Sequence, residues 1–323
     1  MKHPGLKVGR IRGPASQEVN DPMRIPDGLL KSTAFVVSIA NKDRDHVPAE
    51  YDFEGSGFLV GLRSHHCSGQ SFHYFVTADH VISQIRSKVG IRVNLRQGGT
   101  TIVPVEQWYR HPSDPTADVA VAPFEIKPEH DVTFLGEDCF MGYHVEMLSK
   151  DVGIGDEVWF PGLFSLTQTE SDRRNQPILR MGNIAMLPTL PIPTESGPME
   201  VYLIEARSIG GLSGAPVFAR RTVSILWNDE QVWDEPGKRK PIKALHGVTG
   251  EVLLIGMIHG HWDIRESAIN QVRVDVALNG VNIGIAIVIP FSKVIETLNQ
   301  PELSEGRRLA EEDLVRKMSP IKD

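Results

Sequence analysis

Cysteine is nearly absent from this chain: Cys67 and Cys139 are the only two in 323 residues. So few exclude a disulfide framework, leave one bridge between them as the sole pairing available, and make a reducing compartment the simpler expectation. Long apolar runs are also lacking. The most apolar stretch, Asn282 to Phe291, is about ten residues, is interrupted by Gly284 and Pro290, and falls well short of the roughly 20 that cross a bilayer. Lys2, Lys7 and Arg10 make the start of the chain basic, yet no apolar segment follows them as in a secretory signal. A cytoplasmic location without a membrane partner is therefore expected. Positive charge is not in excess, because 34 Lys and Arg face 41 Asp and Glu, for a net charge of −7 and a pI near 6.0. No global field draws such a chain to nucleic acid, which is not expected as a partner. Repeats of solenoid or propeller period are missing too. What remains is an ordinary globular composition, 41% hydrophobic and 23% charged with a mean hydropathy of −0.17, long enough for two domains or one domain of two halves.

Residues 1–30 carry Pro4, Pro14, Pro22 and Pro26 among glycines and charges, the composition of an irregular arm. From Phe35 onward, short apolar or alternating runs are punctuated by Gly, Pro, Asn and Asp, and they predict strands. In residues 31–150 these are 35–40, 57–62, 74–78, 91–95 and 119–124; in 151–299 they are 157–160, 178–187, 200–206, 216–219, 252–258 and 281–289. Residues 142–155 form the crossover between the halves. Helical periodicity comes late, at 292–299 and 302–318, so 300–323 is expected to be a helical tail. Two β halves of this size suit paired barrels with a cleft between them.

Three local patterns say what the cleft holds. Gly55-Ser56-Gly57-Phe58 precedes the run Tyr74 to Ala78, Asp79, His80, which sets His80 at a strand end. In Thr116-Ala117-Asp118-Val119, Asp118 opens an apolar strand. In Gly210-Gly211-Leu212-Ser213-Gly214-Ala215-Pro216, glycines flank a serine just before another strand. Each has an ordinary structural explanation: a core histidine, an aspartate bonding its own turn, a tight turn with an incidental serine. Glycines are nonetheless entropically costly, and they are worth placing where backbone N–H groups must point at a ligand.

As one set in the order His80, Asp118, Ser213, and with the phrases around them, the chain resembles the trypsin-like serine peptidases over about residues 31 to 299. Gly155-Asp156-Glu157-Val158-Trp159-Phe160-Pro161-Gly162 and Asn282-Ile283-Gly284-Ile285-Ala286-Ile287 look more like the bacterial Deg-type branch than the digestive enzymes. The resemblance implies an all-β fold of two six-stranded antiparallel barrels. It implies a serine endopeptidase without cofactor, with His80 as base, Asp118 orienting it, Ser213 as nucleophile, and the N–H groups of Gly211 and Ser213 as oxyanion hole. A peptide or protein is the expected substrate, and a regulatory protein partner is possible. Only 24 residues follow Asn299, too few for the peptide-binding domain of Deg-type enzymes.

Departures from the family pattern also matter. Leu212 replaces the aspartate that digestive enzymes use for activation, Ala215 replaces a frequent glycine, and Asp79 replaces a frequent alanine, which would raise the histidine's pKa if its charge lay close. By resemblance Arg207 falls at the base of the S1 pocket, with His259 and His261 on its wall, so an acidic side chain would fit there. The alternative is Arg207 in solvent or an internal ion pair. His65, His66, Cys67 and His73 are metal-ligand types without metal-ligand spacing, and no metal is expected. Residues 220–248 are an insertion, either a solvated loop or a lid or partner site. The alternative function is a latent or inactive peptidase fold that binds a peptide or partner.

Overall fold

The structure is a computed structural model that describes residues 8–10, 25, 27–39, 51–64, 66, 69–141, 152–164, 174–194, 197–206, 211–220, 252–264 and 281–318. The crossover is described only from 152 onward, and the 220–248 insertion lies outside the described residues save for Arg220.

Nine strands build the first half: β1 (Val8–Arg10), β2 (Thr33–Ile39), β3 (Tyr51–Arg63), β4 (Gln70–Thr77), β5 (Lys88–Asn94), β6 (Thr100–Val105), β7 (Tyr109–Arg110), β8 (Ala120–Pro123) and β9 (Leu135–Gly136). Two short helices accompany them, α1 (Asp27–Lys31) and α2 (Asp79–Ser83). β1 and α1 thus fall in a segment whose prolines predict no regular structure. The reason in β1 is pairing: residues 8–10 run antiparallel to Gln70–Phe72 of β4.

The second half holds β10 (Glu157–Gly162), β11 (Ile178–Met186), β12 (Ile192–Thr194), β13 (Gly197–Met199), β14 (Tyr202–Glu205), β15 (Pro216–Arg220), β16 (Val252–Ile264) and β17 (Val281–Pro290). Six of these close into an antiparallel barrel in the order β10-β11-β14-β17-β16-β15. The first half runs β6-β5-β2-β3-β4-β8-β7, with β1 on β4 and β9 on β3. With β2, β3, β4, β5, β6 and β8 taken as its six main strands, it has the same winding as the barrel, the sixth strand beside the third and the fourth beside the first. The halves differ at closure, since no pairing joins β6 to β7 or β8 among the described residues.

Both halves share a core. Phe58, Val60, Tyr74 and Val76 of the first pack in one cluster with Phe218, Leu254, Met257 and Ile289 of the second, and all are essentially excluded from solvent. The chain closes with α3 (Phe291–Leu298), which buries Phe291, Val294 and Leu298 on one face, and α4 (Pro301–Met318). α4 ties back onto the first half where Arg307 donates to the Tyr74 hydroxyl at 3.1 Å and Ser64 donates to Glu311 at 2.6 Å. No helix among the described residues is long and apolar enough to cross a membrane.

Candidate active site

β4 and β8 are antiparallel neighbours, with Thr77 opposite Ala120. The end of one and the start of the other therefore meet at one sheet edge. Ala78 is extended and α2 begins at once, which sets His80 in the first turn of α2 beside Asp118, the second residue before β8. Oδ1 of Asp118 accepts the backbone N–H of His80 at 2.8 Å, and Oδ2 meets its Nδ1 at 2.7 Å. An ionised carboxylate only accepts, so Nδ1 carries the ring proton and Nε2 is left as the basic nitrogen. Burial by itself would raise the pKa of Asp118; hydrogen bonds from His259 and His80, and their charge, outweigh it and hold the carboxyl well below the usual range.

Ser213 sits in a turn closed by the Ala215 N–H on the Leu212 carbonyl at 2.9 Å. Gly211 and Gly214 hold φ of 92° and 85°, backbone that residues with a Cβ rarely adopt. A Cβ at Gly214 would also lie 2.1 Å from the Ser56 carbonyl oxygen. β16 grips this turn from the other side: Gly214 donates to the Ile258 carbonyl at 2.8 Å and Ile258 to that of Ala215 at 2.9 Å. Among the described residues no hydrogen bond engages the N–H of Gly211 or of Ser213.

Two residues act here in ways the sequence does not disclose. Ser56, fully buried, donates from its backbone N–H to the Ser213 carbonyl at 2.9 Å. Its hydroxyl donates to the Gly211 carbonyl at 2.7 Å and accepts from the Leu163 N–H at 2.7 Å. It thus braces the loop carrying both candidate oxyanion donors. Only the Gly-Ser-Gly phrase hinted at it. The second is His259, expected on the wall of the S1 pocket. The β16–β17 register slips between Ile258 and Gly260, so His259 is the extra residue of a β-bulge, and its Nδ1 reaches Oδ2 of Asp118 at 2.5 Å. Bulges re-aim side chains in this way. His80 and His259 stand edge to face with ring centroids 5.3 Å apart. The Ser213 hydroxyl donates to the His259 carbonyl at 3.1 Å, and no hydrogen bond joins it to His80 among the described residues.

The other site residues are placed as follows. Asp79 is paired with Arg110 at 2.7 Å, which answers its charge. Arg207 lies outside the described residues, and of His261 only its place in β16, opposite Ala286, is described. His65 and Cys67 lie outside as well, while His73 is buried, bonded to Ser71 at 2.8 Å and packed on Phe134.

No protein-family model matches the sequence, and no curated protein matches it. Two solved structures similar to it are the apo MamO protease domain from Magnetospirillum magneticum and Rv3671c from M. tuberculosis, the latter an inactive serine-to-alanine mutant. The first has a TM-score of 0.44 and 14% identity over 84% of this chain and 98% of that one. For the second the TM-score is 0.42 and the identity 15%, over 89% of this chain and 96% of that one. The architecture is trypsin-like. That statement rests on the closed six-stranded barrel, the same winding in the other half, and the C-terminal helix.

Proposed function

We propose that the chain is a trypsin-like serine endopeptidase that cuts peptide bonds through an acyl-enzyme. The observation carrying this reading is the double grip of Asp118 on His80, which fixes the Nδ1–H tautomer that a base acting through Nε2 requires. On substrate binding the Ser213 hydroxyl turns from the His259 carbonyl to Nε2 of His80, a contact that is often long or unmade in resting enzymes. His80 then takes the proton as Oγ attacks the scissile carbonyl, and the N–H groups of Gly211 and Ser213 hold the developing oxyanion. The amine leaves with the proton from His80, and water, activated by the same ring, releases the acyl group. The substrate is a peptide or protein, and low cysteine content supports a reducing, cytoplasmic setting.

A second reading, a latent or partner-binding peptidase fold awaiting a regulatory protein, draws on the same Ser213 contact: the hydroxyl is already spent on the His259 carbonyl. Intact-mass measurement after a fluorophosphonate probe separates the two. A single adduct on the wild type, absent from Ser213→Ala and His80→Ala, is the expected result; no adduct on the wild type favours the second reading.

A further inference from the structure

His80, Asp118 and His259 bring three ligand atoms, two imidazole nitrogens and a carboxylate oxygen, within 4.8 Å of one another. A serine peptidase centre needs one imidazole on its aspartate. Here a bulge in β16 supplies a second, and both rings turn the same nitrogen, Nδ1, to the same oxygen of Asp118 at 2.7 and 2.5 Å. We propose that this cluster is a binding site for a divalent transition ion of the zinc class, and that the ion and a working Ser213 exclude each other.

Two histidines and a carboxylate are donors that zinc takes readily, at ~2.0 to 2.2 Å per bond. Tetrahedral placement around such bonds separates neighbouring ligand atoms by about 3.3 Å, so each N···O pair must open by under about 1 Å, within reach of small side-chain rotations. The surroundings suit an ion. Oδ1 of Asp118 is anchored by the His80 backbone N–H, an outer hydrogen bond of the kind that orients metal ligands. The carboxylate is 8% exposed, whereas the rings of His80 and His259 are 33% and 20% exposed, which leaves a way in and a fourth position for water. Three ligands from three separate elements, α2, the residue pair before β8, and β16, are held by a closed barrel and its neighbour rather than by one flexible loop.

Exclusion follows from the tautomer. With Asp118 as its partner, the neutral His80 ring carries its proton on Nδ1 and keeps Nε2 basic. A metal ion on Nδ1 displaces that proton, which passes through solvent to Nε2. The Nδ1–H bond is broken and an Nε2–H bond is formed, the Nδ1 lone pair goes to the ion, and the ring stays neutral with no net proton gained or lost. Nε2 is then a donor and cannot accept the Ser213 proton. The binding claim stands on the three ligands alone, while the exclusion claim rests on the serine peptidase reading.

Calorimetric titration of the full chain with Zn²⁺, alongside fluorophosphonate labelling with and without Zn²⁺ and a chelator, tests both. One equivalent is expected to bind the wild type and Ser213→Ala alike. His259→Gln should weaken binding by more than the ~10- to 100-fold that loss of an outer-shell partner costs. A variant carrying His65→Ala, His66→Ala and Cys67→Ser should bind as the wild type does. Should His259→Gln fail to fold, Co²⁺ added to the wild type must shift the ring protons of His80 and His259 paramagnetically. Unchanged affinity in a folded His259→Gln, loss of binding only in the variant at 65–67, or unshifted ring protons would overturn the site. Labelling should stop at saturating Zn²⁺ and return with chelator; labelling that persists or accelerates would overturn the exclusion. If the metal-free protein never labels, the peptidase reading fails, while calorimetry still decides the metal site.

Discussion

At the scale of single residues, Asp118 is the most heavily used side chain in the cleft. One oxygen takes the backbone of His80, the other takes two rings. Asparagine in its place has a single acceptor and must turn an N–H₂ group toward either the His80 backbone or the rings, so the tautomer of His80 is no longer fixed. Asp118→Asn is expected to slow fluorophosphonate acylation by about 10⁴-fold with the fold intact, measured by stopped-time mass spectrometry and thermal melting. Ser56 offers a complementary test. Ser56→Ala leaves the Gly211 carbonyl and the Leu163 N–H, both served by that hydroxyl, without a partner in a dry place. A loss of about 1 to 3 kcal/mol in urea unfolding is expected, together with slower acylation as the oxyanion loop loosens. An unchanged acylation rate would remove Ser56 from the site. The patterns around His80, Asp118 and Ser213 were legible because each shows in a few consecutive residues. Ser56 was not, because its hydroxyl acts on partners 107 and 155 positions away. Nor was the aim of His259, which depends on a register slip that no local pattern records.

At the scale of elements, the strands rich in β-branched and aromatic residues were legible: β17 to within one residue at its ends, β3 and β4 with their starts placed six and four residues late. The missed ones are short or interrupted by proline. β6 (Thr-Thr-Ile-Val-Pro-Val) carries Pro104, β12 and β13 carry Pro193 and Pro198, and β7 and β9 are two residues each. The two- and three-residue ones become strands through pairing rather than propensity, whereas β6 is β-branched throughout save for Pro104, whose presence argues against a strand. α3 shows what a short element contributes. Its Phe291 lies 4.7 Å ring to ring from Phe140 and 6.5 Å from Phe58, joining the end of the chain to the first half. Lys293 pairs with Asp114 at 2.9 Å, four residues before Asp118. Phe291→Ala is expected to cost about 3 to 5 kcal/mol in chemical denaturation, since Phe291 is 1% exposed and packs on Phe140 and Phe58.

At the scale of the whole molecule, stability should depend on pH through groups both outside the cleft and within it. Burial pushes His73 down to about 4, so the folded protein keeps it neutral while the unfolded chain protonates it near 6.5. Between those values the unfolded state binds the extra proton, and stability therefore falls as pH drops from about 6.5 to 4, by up to about 3 kcal/mol. Asp114, held down at about 2 by Thr116 and Lys293 against the raising effect of burial, and Asp118 act lower. Their contribution is present above the ordinary carboxylate range and is lost as pH falls through their own lowered values. Urea midpoints at pH 7, 5 and 4 should decline in the wild type, and the slope between 6.5 and 4 should flatten in His73→Gln. An equal slope in both would show that another group carries it.

The winding of the second barrel has a consequence for a chain emerging from the ribosome. β17, the last of the barrel's strands along the chain, closes it between β14 and β16. A nascent chain stopped before residue 281 already contains His80, Asp118, Ser213 and His259, yet the seam that β17 fills is open and β16, which grips the Ser213 turn, lacks one of its two neighbours. Translation thus delivers His80, Asp118 and Ser213 early and their alignment last, so the candidate site is assembled only when synthesis of the barrel is over.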